Sequence, residues 1–242
     1  MKVLAVIPAR YASTRFPGKP LVDIHGKPMI QWVYERTQSC PAIDEVLVAT
    51  DDLRIAEAVK VFGGQVVMTS PDHVSGTDRI REAVELSEID CDIVLNVQGD
   101  EPGIDPDHLT LLIALFESGV HIGTLVAPFR EEASFKDVNK VKAVLGNKGD
   151  ALYFSRQAVP FDRDGEDELG GCYHHIGVYA FRKAVLLEVT DLPVSPLERK
   201  ESLEQLRWLE NGYRIRAAIV DSTPIGVDTP EDLERLKASW KS

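Results

Sequence analysis

Between Met1 and Val22 the chain contains no aspartate or glutamate, although its 242 residues as a whole bear a formal charge of −12. Net acidity of that size argues against a surface that tracks duplex nucleic acid or adheres to anionic membranes, both of which need a basic face. Cysteine is scarce: Cys40, Cys91 and Cys172 form no C-x-x-C pair, which excludes a dithiol redox motif and a disulfide scaffold and leaves three reduced packing residues. Long apolar runs are missing too. The opening VLAVI is five residues before a proline and an arginine, too short for a secretory core or a membrane span, so a cytosolic enzyme is expected. The glycine fingerprint G-x-G-x-x-G, the phosphate loop G-x-x-x-x-G-K-[ST] and the elbow G-x-S-x-G are all absent. These absences count against dinucleotide-dependent oxidoreductases, P-loop enzymes and serine hydrolases.

What is present is an alternation of short apolar runs and helical periods. VLAVI (3–7), EVLVAT (45–50), QVVM (65–68) and DIVLNV (92–97) are separated by helical stretches around Met29, Ile30 and Val33, around Ile55, Val59 and Phe62, and around Ile80, Ala83 and Val84. The order is βαβαβαβ, and runs apolar on both faces belong to parallel strands covered by helices. A doubly wound α/β fold is expected. The second half changes rhythm, with strand patterns at 121–128, 140–145, 151–155 and 175–181 that extend the first sheet as a mixed one, followed by helical patterns such as 198–212. In that helix Leu203, Leu206 and Leu209 form the buried stripe and Glu201, Glu204 and Gln205 a solvated face.

Ligands of open α/β sheets bind beyond the carboxyl ends of the strands. The loop after the first strand, ARYASTRFPGKP (9–20), carries Arg10, Ser13, Thr14, Arg15 and Lys19 with two prolines to stiffen it. Three cations converging at about 7 Å repel pairwise by roughly 2 kcal/mol at an effective dielectric of about 20. A bound polyanion removes that repulsion; the plain alternative is that the charges stand apart in solvent. A second candidate is NVQGDEP (96–102), where a strand ends in Gly99 and Asp100, the place for a hard oxygen ligand to a phosphate-bridging Mg²⁺. Asp100 equally suits a helix cap, and Glu101 competes for the metal role. The third is GVDTPEDLERL (226–236). Thr229 as N-cap, Pro230 at the first helical position and acids in the first turn explain themselves as a helix start; Asp228, just outside, does not. Other clusters are poorer. Cys172, His174 and His175 lack a fourth zinc ligand, and DRDGEDEL lacks the glycine of a calcium loop.

Taken together, PARYASTRFPGKPL (8–21), SGTDRIREAVE (75–85), NVQGDEP, ALYFSR (151–156), HIGVYAFR (175–182), SPLE with LEQLR (195–207) and GVDTPEDLERL closely resemble the CMP-Kdo synthetase family over essentially the whole chain. The resemblance implies a Rossmann-like nucleotide-diphospho-sugar transferase fold, with a mostly parallel mixed central sheet and helices on both faces. It implies transfer of CMP from CTP to the anomeric hydroxyl of the sugar acid 3-deoxy-manno-octulosonate (Kdo), with Mg²⁺ and release of pyrophosphate, for lipopolysaccharide assembly by a cytoplasmic homodimer. One nucleotidyltransferase domain follows, with residues 1–118 mainly for the nucleotide and 119–242 mainly for the sugar and the dimer. Carried over by residue, Arg10, Ser13, Arg15 and Lys19 hold CTP with Ser75 near the nucleotide, and Asp100 and Asp228 ligate Mg²⁺. Gln98, Arg156, Arg163, His175, Glu204 and Gln205 face the sugar acid, and Arg10, Lys19, Asp100 and Asp228 carry catalysis. Phe161 stands where the family has tryptophan. The 8-amino analogue of Kdo or a sialic acid is the alternative substrate, and a non-catalytic nucleotide-binding regulator the alternative class.

Overall fold

In the computed structural model, residues 1–12, 16–165 and 169–240 are described; Ser13 and Arg15 of the expected nucleotide site lie outside them. The chain divides into two units, one of Met1–Thr110 with Pro224–Ser242 and one of Leu111–Thr223. The expected functional halves, 1–118 and 119–242, are drawn at a different boundary.

In the first unit, β1 (Val3–Ala9) is paired in parallel with β4 (Glu45–Thr50) on one side and β6 (Ile93–Asn96) on the other, and β4 pairs in parallel with β5 (Gln65–Met68). The short strands β2 (Asp23–Ile24) and β3 (Lys27–Pro28) form a separate antiparallel hairpin. Burial on both faces of β1 and β6 matches their unbroken apolar sequence. β5 lies at the edge, and its end residues Gln65 and Met68 are exposed. The helices α1 (Met29–Gln38), α2 (Leu53–Val61) and α3 (Gly76–Ser87) fall where the periodicity places them.

The C-terminal helix α9 (Pro230–Ser239) starts at a capping box in which Thr229 and Asp232 satisfy each other's backbone amides. Its apolar stripe, Leu233 and Leu236, joins Val227, Ile24 and Met29 in one buried cluster flanked by Phe16 and Trp32. The Trp32 and Trp240 rings meet edge to face at 4.8 Å. This packing holds the end of the chain against the segment that follows the first loop.

After α4 (Pro106–Ala114), the second unit holds β7 (Ile122–Pro128), α5 (Glu132–Lys136), β8 (Lys142–Leu145), β9 (Ala151–Ser155), β10 (Tyr173–Arg182), α6 (Lys183–Thr190), α7 (Pro196–Glu201), α8 (Gln205–Glu210) and β11 (Ile215–Ile219). β7 pairs antiparallel with β10 and parallel with β11, while β10, β8 and β9 follow one another antiparallel. The single helix expected over 198–212 is broken. Ser202 takes a left-handed φ of 52° between α7 and α8. The break has a purpose in hydrogen bonding: Glu201, expected on a solvated face, turns to accept from the Ser155 hydroxyl at 2.9 Å and the Arg156 amide at 3.0 Å. Gln205 is likewise buried.

Beside the break, Arg207 is clamped to Glu198 by two charge-assisted bonds of 2.7 and 2.8 Å, and both side chains are nearly inaccessible. Glu198→Gln leaves a buried guanidinium without its counter-charge, and a loss of about 3 kcal/mol is expected. Urea unfolding checks this as a lower midpoint with an unchanged slope.

Candidate active site

The two flanks of the loop after β1 are tied together. The Gly18 amide closes it by donating to the Tyr11 carbonyl at 2.9 Å. Gly18 has a φ of 71°, and a Cβ there would meet the Tyr11 ring at 3.1 Å; both facts call for glycine. Arg54 lies over the other component of this lock, 3.3 Å from the Tyr11 ring centroid. Lys19 and the buried Pro20 then begin a short 3₁₀ turn. Arg10, just past the end of β1, donates through Nη2 to the carbonyls of His73 and, at 3.3 Å, Ser75. Ser75 itself caps α3, its hydroxyl accepting from the Asp78 amide at 3.0 Å.

Asp100 lies just past β6, where Gly99 lets that connection pass against β1: a Cβ on Gly99 would lie 2.8 Å from the Pro8 carbonyl oxygen. The Asp100 carbonyl accepts from the Val227 amide at 2.9 Å, tying the C-terminal segment to the end of β6. Asp228 follows, outside the α9 cap as its sequence position indicates. Lys19 Nζ donates to Asp100 Oδ2 at 2.7 Å and to Asp228 Oδ1 at 3.2 Å. The lysine side chain is 13% exposed, against 35% for Asp100 and 51% for Asp228. Pro8, Arg10, Lys19, Gln98 and Asp100 line one small cavity of about 180 Å³. Four of the expected residues, Arg10, Lys19, Gln98 and Asp100, therefore meet in it, and Asp228 joins them through Lys19.

Glu101, the rival of Asp100 for a metal, behaves differently. Burial, with Asp100 and Asp228 adding their negative charge, pushes its carboxyl up to about 8. Its Oε2 has no hydrogen-bond partner among the described residues. A carboxyl held protonated near pH 7 is a poor ligand for a hard cation, so the two aspartates are the better pair. Among the described residues no group of three or more His, Cys, Asp or Glu is placed to hold a metal ion. Two carboxylates are nonetheless a suitable donor set for Mg²⁺, which takes one or two from protein and the remainder from phosphate and water. The Lys19 ammonium, bonded to both, marks the gap as one where a cation is stable.

The residues expected to face a sugar acid lie in the second unit, apart from Gln98. Arg156 is engaged by backbone: Nε donates to the Glu201 carbonyl at 2.7 Å, Nη1 to Val138 at 3.3 Å and Nη2 to Ser202 at 3.2 Å. His175 is buried, with Nε2 3.0 Å from the Thr124 hydroxyl and its ring against Phe154 and Tyr179. Burial, reinforced by His174, drives its pKa down to about 3. It is a neutral hydrogen-bonding imidazole and a weak base. Glu204 caps α8, 3.6 Å from Arg207, while Arg163 and Phe161 stand exposed on the polar loop. Cys172 is buried with Phe129 and Phe135.

One group is missing from the sequence reading. Arg79 is wholly buried and donates to Thr69 Oγ1 at 2.5 Å and Asp51 Oδ2 at 3.0 Å. Glu82 accepts from the Ser70 amide at 2.8 Å and from His73 at 2.5 Å. Together with Arg10 they fix residues 69–75, the segment between β5 and α3. The available signal was an arginine one turn past the Ser75 cap, on the same helical face as Ala83.

A cytidylyltransferase family model matches residues 4–215. A 3-deoxy-manno-octulosonate cytidylyltransferase of Bacteroides thetaiotaomicron is 54% identical over 100% of this chain and 99% of its own length. The protein of that name from Parabacteroides distasonis is 51% identical over 98% of both. Among solved structures, a CMP:2-keto-3-deoxy-manno-octonic acid synthetase complexed with CTP superposes with a TM-score of 0.93 at 44% identity, over 98% of each chain. A Leptospira borgpetersenii cytidylyltransferase, at 20% identity and a TM-score of 0.66 over 100% of this chain and 89% of its own, shares the fold. These likenesses bear out the expected α/β nucleotidyltransferase fold with a mostly parallel central sheet.

Two outcomes are expected. Gly99→Ala, which forces the Asp100 connection away from Pro8, lowers kcat/KM by about tenfold or more, since misplacement of about 1 Å at a reacting site costs that much or more; steady-state kinetics on a folded variant measures it. For His175 the folded pKa lies below the ordinary 6.5. Between pH 6.5 and about 3 the native state thus binds fewer protons than the unfolded chain, and its stability falls on acidification through that window. His175→Gln flattens the decline, read from denaturation midpoints at pH 6.5, 5.5 and 4.5.

Proposed function

Since the chain belongs to the cytidylyltransferase family, within the 3-deoxy-manno-octulosonate branch, we propose that the acid-free loop after β1 is its receptacle for the triphosphate of CTP. The reaction is transfer of CMP to Kdo: the anomeric oxygen attacks the α-phosphorus in line, its proton is released, and the bond to pyrophosphate breaks. Activated Kdo of this kind serves lipopolysaccharide assembly, and the enzyme acts in the cytoplasm as a homodimer. Among the described residues no helix is long and apolar enough to cross a membrane.

The observation that carries the reading is the meeting of Arg10, Lys19, Gln98 and Asp100 in one cavity, with Asp228 bonded to the same lysine. Both substrates are anions, so the work of the protein is positioning and charge compensation. Arg10, held by the carbonyls of His73 and Ser75, presents a fixed cation at the end of β1. Lys19 is a flexible one, able to follow charge onto the α-phosphate and the leaving pyrophosphate. Asp100 and Asp228 would hold Mg²⁺, which would supply neutralisation of phosphate charge and acidification of the sugar hydroxyl. Ser75, whose hydroxyl caps α3, sits beside Arg10 at the nucleotide. Gln98 and, from the second unit, Arg156, Arg163, His175, Glu204 and Gln205 serve the sugar acid. The buried state of His175 makes it a hydrogen-bonding group rather than a proton acceptor.

Pyrophosphate release from CTP, measured with a panel of sugar acids including Kdo, 8-amino-Kdo and a sialic acid, tests the assignment. Kdo is expected to give the highest kcat/KM. Lys19→Ala and Asp100→Asn each lower kcat/KM by about two orders of magnitude in folded protein. Near-normal turnover of Asp100→Asn removes the metal role of that residue, and CTP binding without pyrophosphate release on any sugar acid removes the enzymatic reading.

A further inference from the structure

Lys19 stands on the loop assigned to phosphate, yet its ammonium is bonded to Asp100 at 2.7 Å and to Asp228 at 3.2 Å, the pair assigned to the metal. We propose that Lys19 is an internal counter-cation that keeps divalent metal off these carboxylates until the phosphates of CTP draw it away, so that metal and nucleotide are taken up together. This inference rests on the reading of Asp100 and Asp228 as the metal-holding pair.

Three features support it. First, an ammonium already 2.7 Å from Asp100 Oδ2 opposes a divalent cation at the same carboxylate, because two positive charges at contact distance repel strongly in a site where the lysine is only 13% exposed. Second, the backbone of Lys19 is fixed while its ammonium is not. Gly18 and the buried Pro20 bracket it in the 3₁₀ turn, and the Tyr11 to Gly18 bond closes the loop behind it. A four-carbon stem carries the charge between two positions by rotation alone. Third, the carboxylates need a cation in either state. Asp100 and Asp228 are held close by backbone, through the bond from the Val227 amide to the Asp100 carbonyl. Loss of the lysine without a replacement removes the ammonium that bridges two neighbouring negative charges.

Triphosphate offers the ammonium a richer set of oxygens and at the same time completes the coordination of Mg²⁺, which two protein carboxylates alone do not fill. Each ligand then favours the other, and the coupling is reciprocal: whatever factor CTP contributes to metal affinity, metal contributes to CTP affinity. Lys19 is the element through which the exchange passes.

The test uses Mn²⁺ as the probe, with free Mn²⁺ read by electron paramagnetic resonance in nucleotide-free, full-length protein. Wild type is compared with Lys19→Met, Lys19→Gln and Lys19→Met combined with Asp100→Asn, each checked by thermal melting; either lysine variant suffices if the other fails to fold. Mn²⁺ binding tightens tenfold or more when the lysine charge is removed, and the gain disappears in the double variant. Unchanged Mn²⁺ affinity in a folded Lys19 variant overturns the proposal. In that case the metal reading still stands if Asp100→Asn abolishes Mn²⁺ binding in the presence of CTP. A gain that survives Asp100→Asn overturns both, because the metal then binds elsewhere.

Discussion

The first unit is organised around one electrostatic necessity: two carboxylates gathered at the ends of parallel strands require a positive charge between them. Lys19 supplies it in the ligand-free chain, with bonds of 2.7 and 3.2 Å. Such a cluster would be a poor source of stability if it were merely structural, since the desolvation of three charges offsets most of their attraction. Its arrangement makes sense as a site in which one cation is exchanged for another while the net charge around the reacting phosphorus stays near balance.

Delivering those three side chains falls to features with ordinary structural explanations. Asp100 reaches its place because Gly99 has no Cβ to strike Pro8. Asp228 reaches its place because the Thr229 capping box starts α9 at the next residue and the Leu233 and Leu236 stripe pins that helix to Ile24 and Met29. Arg10 is aimed by carbonyls of residues 73 and 75, and that segment is held from behind by buried Arg79 and by Glu82. These surroundings frame the Lys19 ammonium.

Much of this was legible in the sequence, for identifiable reasons. Parallel strands buried on both faces read as unbroken apolar runs, so β1, β4 and β6 were plain. The acid-free loop and the aspartate left unexplained by the capping box at 229–232 pointed to chemistry because local propensity had no use for them. Tertiary hydrogen bonding was not legible. Nothing local announces that Ser202 adopts a left-handed conformation so that Glu201 can turn toward Ser155 and Arg156, and leucine periodicity across 198–212 suggests the opposite. Arg79 was missed because a buried guanidinium is recognisable only once Asp51 and Thr69 are seen beside it. β11 was missed because it is short and Arg216 interrupts its apolar residues. The pairing of Asp100 with Asp228 could be suggested from sequence, but only the fold shows one ammonium touching both.

The span between the partners of that ammonium bears on how the site is born. Lys19 and Asp228 are 209 positions apart, and the first unit is completed only by the returning segment that begins at Pro224. During synthesis, β1 and β6 can align before the second acidic arm is made. Until the segment from Pro224 docks, Lys19 has only Asp100 of its two carboxylate partners.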